Sequence, residues 1–227
     1  SQGVPFIQAG SDTLRSKSMS SNSYNAGDWF NVLDFTKQTN NWKVGLPPAS
    51  DTSDANILLA FADEQAKPTS LLIQKSSDVF NELLKISKSS PLFSLTTAAD
   101  VMDRVGFHDG GVTQKDNLIV MSIDDGAGKV TGNQTNRADL DPAVDAIVVI
   151  FNGSATAVSQ RVLTSAGFTL HSVQKTSVDD AVRKATFTEG AGGGTFMVPA
   201  YTAAVFVKTQ VGAQGAGLSA TATSGYE

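Results

Sequence analysis

The sequence contains no cysteine, so neither a disulfide nor a thiolate zinc site can form. It has no basic stripe. Its 17 Lys and Arg stand against 22 Asp and Glu, for a formal net charge of −5 and a pI near 5.0. Phosphate binding needs clustered Lys and Arg, so no nucleic-acid partner is expected. The same acidity argues against anionic membrane surfaces. No run approaches the roughly 20 apolar residues that cross a bilayer, so no membrane span is expected. No signal-peptide pattern opens the chain, which starts Ser1-Gln2-Gly3-Val4-Pro5. If the protein is exported, its signal is expected upstream.

What is present is enough for a core. Hydrophobic residues make up 41% of 227, which suits one large domain or two small ones. Val4-Pro5-Phe6-Ile7-Gln8-Ala9 is an apolar run closed by Gly10 and reads as a buried strand. No partner strand follows for dozens of residues, and an unpaired buried strand is costly. The plain reading is a frayed N-terminus or an edge strand; the apolar Phe6 and Ile7 favour neighbours in another polypeptide or a removed portion. Residues 4–9 lying exposed, or laddered into the later strands, would overturn that reading and any barrel built on it.

Residues 11–68 are rich in Ser, Asn, Asp, Gly and Pro, with little periodicity, and read as a long functional loop. Both tryptophans of the chain, Trp29 and Trp42, lie in it, which argues against disorder. Residues 49–56 are the most linker-like part. A helix follows, opened by Thr69 or Ser70 as cap. Leu72, Val79, Phe80, Leu83 and Leu84 form its apolar stripe, opposite Lys75, Asp78, Glu82 and Lys85. Ser89-Ser90-Pro91 ends it. Strands are then predicted at residues 101–107, 118–123, 146–152, 183–187, 195–198 and 203–208. Turn signals at Asp124-Asp125-Gly126, Asn152-Gly153 and residues 190–194 separate them, as in a β-sandwich. The Gly-, Ala-, Ser- and Thr-rich tail from Gln210 is expected to be loosely held.

Several motifs fail on inspection. Gly126-Ala127-Gly128-Lys129 lacks the earlier glycine of a phosphate loop, because Ile123 stands there. Asp124, Asp125, Asp139, Asp141 and Asp145 do not follow EF-hand order, so no metal site is assigned. His108 and His171 are isolated and read as satisfied or exposed.

A strand, a loop and a helix make one βα unit of a (β/α)₈ barrel, which cannot fold alone. Residues 3–12 (Gly3 to Asp12) resemble the last barrel strand of the α-amylase superfamily. Asn22-Ser23-Tyr24-Asn25-Ala26-Gly27-Asp28-Trp29-Phe30-Asn31 resembles the pullulanases and plant limit dextrinases. Asn40-Asn41-Trp42-Lys43-Val44-Gly45, Ser89-Ser90-Pro91-Leu92-Phe93, Asp124-Asp125-Gly126 and Val198-Pro199-Ala200 extend the similarity over nearly the whole chain. The resemblance implies an α/β plus all-β architecture. Residues 1–90 would end a catalytic barrel, residues 91–210 would form an antiparallel β-sandwich, and residues 211–227 a flexible tail. It also implies retaining hydrolysis of α-1,6 branch linkages in pullulan, amylopectin and limit dextrins. That reaction uses two carboxyl groups roughly 5 Å apart, here expected on earlier barrel strands and not in this chain. The chain alone is thus expected to be inactive. An N-terminal polypeptide of the same enzyme and an α-glucan substrate are the implied partners. Calcium is common in such enzymes, and no cofactor is assigned. A bacterial extracellular, cell-surface or periplasmic location is expected.

Sugars present hydroxyl edges and apolar faces, so amides, carboxylates and aromatic rings in alternation suit them. Substrate contacts are therefore expected at Asn22, Tyr24, Asp12, Arg15 and Asp28, with no catalytic residue and no metal ligand. Relatives carry Asp where Asn22 stands, which removes a charge. The plainer expectation for Asp12 and Arg15 is a local ion pair, and for Trp29, Phe30 and Trp42 packing. The alternative to an enzyme part is a standalone carbohydrate-binding β-sandwich.

Overall fold

The computed structural model describes residues 2–20, 24, 27–44, 55–108, 114–128 and 137–218. The chain divides into two compact units, residues 5–81 and residues 1–4 with 82–227.

The larger unit is built from antiparallel sheets. Strands β1 (Val105–His108), β2 (Leu118–Asp124), β3 (Val144–Asn152), β4 (Val158–Arg161), β5 (Phe168–Leu170), β6 (Thr186–Thr188), β7 (Thr195–Val198) and β8 (Thr202–Thr209) follow in chain order. The first sheet has the order β1-β2-β3-β8-β5, the second β4-β7-β6. Every pairing is antiparallel.

The sequence of β3 explains its place. It is apolar without alternation because both faces are covered. Ala146, Val148 and Ile150 join a core with Val120, Phe196, Val198 and Phe206. Ile147 and Val149 point the other way, into a second core with Ile86, Leu92, Phe93, Met121 and Val205. Phe196 anchors the first core, with ring centroids 4.7 Å from Phe187, 4.9 Å from Phe206 and 5.5 Å from Phe168. Burying one such side chain contributes about 1.5–3 kcal/mol.

Asp124-Asp125-Gly126 is no simple turn. Both carboxylates are fully buried and paired, Asp124 with Arg137 and Asp125 with Arg104. Arg137 Nε also donates to Asp103 at 2.8 Å, and Arg104 Nη2 to the Ala138 carbonyl at 2.8 Å. Asp125 Oδ2 accepts from Asp141 N at 2.8 Å and Leu140 N at 3.0 Å. Burial pushes both carboxyls above their ordinary value, with the guanidinium groups pulling the other way. Their charge is thus answered by arginine.

The tail is pinned as far as Leu218, against the expectation of a loose end. Leu218 N donates to Asp124 Oδ1 at 3.0 Å, Gly215 N to Asp145 Oδ1 at 2.8 Å, and Leu218 is buried. A Cβ on Gly126 would stand 1.8 Å from Gly217 N, so glycine is required for this approach. Residues 219–227 lie outside the described residues.

Other expectations also need correction. Residues 101–104 are helical: α3 (Ala98–Arg104) precedes β1. Thr97 caps it, accepting from Asp100 N at 3.0 Å. Residues 183–184 form part of a 3-10 turn (Val182–Lys184), and only β6 is extended. Strands β4 and β5 and the short helix α4 (Ser172–Lys175) have too little apolar pattern to announce themselves.

The smaller unit contains α1 (Ala55–Ala62), which the expected irregular stretch did not include. Helix α2 (Ser70–Ser87) runs across the division between the units. Thr69 Oγ1 accepts from Leu72 N at 3.3 Å, as a cap does. The expected apolar stripe does not face inward throughout. Leu72, Leu83 and Leu84 are exposed, while Ile73, Ser77 and Ile86 are buried. Glu82, expected on the solvent side, accepts from Ser177 Oγ and Val178 N.

Residues 4–9 form no strand. Val4 is 93% exposed, Phe6 104% and Ile7 52%. The expectation of a buried strand is overturned: apolar composition does not create a strand where no hydrogen-bonding neighbour is at hand. Exposed in this way, residues 4–9 speak against the barrel-strand reading made from the sequence.

Candidate functional site

Of the expected contact residues, Asn22 lies outside the described residues. The others fall in the smaller unit, on segments held mainly by side-chain to backbone bonds. Asp12 and Arg15 do not meet as an ion pair. Asp12 Oδ2 accepts from Ser77 Oγ at 3.1 Å, fastening the turn to α2. Arg15 Nη2 donates to Asn31 Oδ1 at 2.8 Å. That bond ties the turn at residues 10–15 to the 3-10 turn Asp28–Asn31. Arg15 Nε is buried without a partner among the described residues. A cavity of about 120 Å³ opens here, lined by Gln8, Ala9, Ser11, Arg15 and Lys17.

Asp28 is exposed at the start of its turn, and Tyr24 is exposed. Trp29 stacks on Phe30 at 3.6 Å between centroids; Phe30 is buried and Trp29 is 38% exposed. The ring of Trp29 thus keeps an open apolar surface beside Asp28. Asn41 Nδ2 donates to the Trp29 carbonyl at 2.7 Å, and Ser18 Oγ donates to the Asn41 carbonyl at 2.7 Å. Asn40 Nδ2 donates to the Leu14 carbonyl at 2.6 Å.

This framework holds backbone that composition alone disfavours. Leu14, Ser18, Met19, Lys37, Asn41 and Lys43 all have positive φ. Each left-handed non-glycine residue costs about 1–2 kcal/mol, and such residues gather at binding loops. Asp34 serves the same scaffold. Bonds from Thr36 and Thr39 hold its carboxyl at about 2, well below the usual carboxylate range.

Of the two candidate carboxylates, Asp12 is engaged with Ser77, and Asp28 stands in the open. No group of three or more His, Cys, Asp or Glu able to hold a metal occurs among the described residues.

Sequence reasoning passed over one cluster in the larger unit. His171 is buried at the N-terminal end of α4. Its Nδ1 accepts from Val173 N at 3.2 Å and its Nε2 lies 3.1 Å from Ser89 Oγ. Because Nδ1 accepts, the proton sits on Nε2 and points at Ser89. Ser89 Oγ in turn donates to the Ile86 carbonyl at 2.7 Å. This is the reverse of the polarity that activates a serine nucleophile. Burial lowers the pKa of His171, which fits a neutral ring.

Residues 37–209 match the family described as alpha-1,6-glucosidases, pullulanase-type, C-terminal. The chain is 42% identical over 216 residues to a chloroplastic pullulanase of Arabidopsis thaliana, covering 93% of this chain and 22% of that protein. It is 35% identical over 218 residues to a pullulanase of Klebsiella pneumoniae, covering 96% of this chain and 19% of the other. A crystal structure of Klebsiella pneumoniae pullulanase complexed with maltotriose superposes with a TM-score of 0.76 at 35% identity, over 92% of this chain and 19% of that one. The chain thus spans about a fifth of the length of these relatives. With its sheets matched over most of their length, the chain belongs to the family of C-terminal regions of pullulanase-type alpha-1,6-glucosidases.

Proposed function

We propose that the chain is part of a debranching enzyme that hydrolyses α-1,6-glucosidic linkages in pullulan, amylopectin and limit dextrins with retention of configuration. The observation that carries this is the family match over residues 37–209 in a chain spanning about a fifth of its pullulanase relatives. In this reading the two carboxyl groups that such hydrolysis needs belong to the rest of the enzyme. Residues 1–90 supply the end of the barrel and one wall of the cleft. The Arg15–Asn31 bond fastens the turn that carries Asp28 and Trp29, and Asn22, Tyr24, Asp12, Arg15 and Asp28 are the proposed sugar contacts. The barrel unit is proposed on the strength of the relatives, not of residues 4–9. The sheet unit stabilises the whole and performs no chemistry. Placement outside the cell or in the periplasm of a bacterium belongs to this proposal, beside relatives from a plastid and a bacterium.

The experiment is complementation. The chain alone should release no reducing sugar from pullulan, and the chain joined to the remainder of the enzyme should release maltotriose units. Substituting Arg15→Ala in the joined enzyme should raise KM about tenfold, the cost of one charged hydrogen bond. Hydrolysis by the chain alone, or retention of pullulan with no hydrolysis by the joined enzyme, would refute the proposal. The second result would favour a binding module.

A further inference from the structure

The sheet unit carries a cavity of about 260 Å³ that plays no part in the cleft described above. Strand register builds its floor. Val207 on β8 pairs with Ile147 on β3 and with Thr169 on β5, so the three stand in one row across the sheet. Val144 and Val207, both half-buried, give the base its apolar surface. Thr169, Ser172 and Thr209 are exposed and line the mouth. None of their hydroxyls, nor the ammonium of Lys175, has a hydrogen-bond or ion-pair partner among the described residues.

On the opposite wall Ser89 and His171 are locked to each other. Ser89 Oγ receives from His171 and gives its proton to the Ile86 carbonyl, so one lone pair is left for a ligand. The cavity therefore joins an apolar base to a ring of unspent hydroxyl groups. An anion would want converging positive charge, and Lys175 is the single cation in the lining. An apolar ligand would leave the hydroxyls unused. A sugar ring satisfies both parts, with its C–H face on Val144 and Val207 and its hydroxyls at the rim.

The geometry points to a second carbohydrate contact on the sheet unit, in which this cavity takes one glucosyl unit of an α-glucan chain. The choice of glucan rests on the function proposed above; the cavity's preference for a neutral polyhydroxylated ring does not. Such a contact would hold a branch end while another part of the same polymer is cut. It adds avidity without touching the reacting bond.

The test uses the 227-residue chain and maltotriose, followed by amide and imidazole chemical shifts. Millimolar maltotriose should shift Thr169, Leu170, Ser172 and the His171 ring. The double substitution Thr169→Val and Thr209→Val keeps the β-branched shape on the strands and removes two hydroxyls. It should weaken binding about tenfold with an unchanged thermal midpoint. If the double variant does not fold, Ser172→Phe on the exposed start of α4 should block the mouth and abolish the shifts. In the joined enzyme these variants should lose affinity for pullulan and keep kcat on a short branched oligosaccharide. Three results would overturn the inference: no shift with maltotriose, equal binding by the variants, or inorganic phosphate producing the same shifts. Each of these concerns only the cavity, whereas absence of pullulan hydrolysis in the joined enzyme counts against the proposed function alone.

Discussion

The two units of this chain are stabilised by different means. In residues 82–218 a sheet is covered on both faces, and its fully buried side chains include Phe196, Phe206, Ile123, Ile147 and Val148. In residues 5–81 few large side chains are buried, chiefly Phe30 and Ile73, and Asn, Asp, Ser and Arg side chains bind the backbone directly. The sheet unit draws its stability from apolar area, a bulk quantity that tolerates local change. The loop unit draws it from individual hydrogen bonds of about 1 kcal/mol each, set against backbone in the left-handed region. Such a unit is well placed to present groups to a ligand and poorly placed to fold unaided.

The comparison can be broken most sharply at its polar exception, the buried arginine–aspartate cluster. Arg137→Met leaves Asp124 buried and unpaired, and should cost about 3–5 kcal/mol of stability in urea unfolding. Burial already raises this carboxyl, so removing the guanidinium raises it further. A raised acid contributes stability below its unfolded value that is lost as pH rises. The loss in R137M should therefore be smaller at pH 5 than at pH 8. An equal loss at both would mean that Asp124 is not desolvated.

Next in size is acid sensitivity. Burial lowers His108 to about 4, and its Nε2 lies 2.9 Å from Ser122 Oγ. The unfolded chain takes up this proton near pH 6.5. Stability should fall between about pH 6.5 and 4, by at most roughly 3 kcal/mol. His171 acts in the same direction, and Asp124 and Asp125 oppose it. His108→Gln isolates the contribution: its urea midpoint should drop less than the parent's over that range.

The smallest expected effect is confined to the loop unit. Gly10 has φ +89°, and a Cβ there would meet Leu33 Cδ2 at 2.6 Å. Gly10→Ala should cost about 1–3 kcal/mol locally. Hydrogen exchange should quicken in residues 10–44 while the amides of β3 and β8 keep their protection. Uniform quickening would show that the two units do not differ as described.

How much was legible follows from the same contrast. Strands β2, β3, β7 and β8 could be read because β-branched runs buried on one or two faces leave a compositional trace. Residues 101–104 were misread because a four-residue alternation fits a helix turn as well as a strand, and the Thr97 cap decided it. The exposed leucines of α2 show that periodicity identifies a helix without saying which face is covered. The buried roles of Asp124 and Asp125 were hidden because their arginine partners come from distant segments. In the loop unit the residue types suited to sugar were legible, whereas the Arg15–Asn31 and Asp12–Ser77 bonds depend on tertiary approach. The sugar-sized cavity at Thr169 and His171 left no local signal, since its lining comes from four separate segments.

The most direct measurement concerns the apolar residues before Gly10. The amides of Phe6 and Ile7 should exchange within seconds in the isolated chain, where these side chains are open to solvent. In the complete enzyme they should be protected by several orders of magnitude, as strand partners elsewhere in the barrel close on them. Equally rapid exchange in both would contradict the account, because the loop unit would then be no part of a barrel.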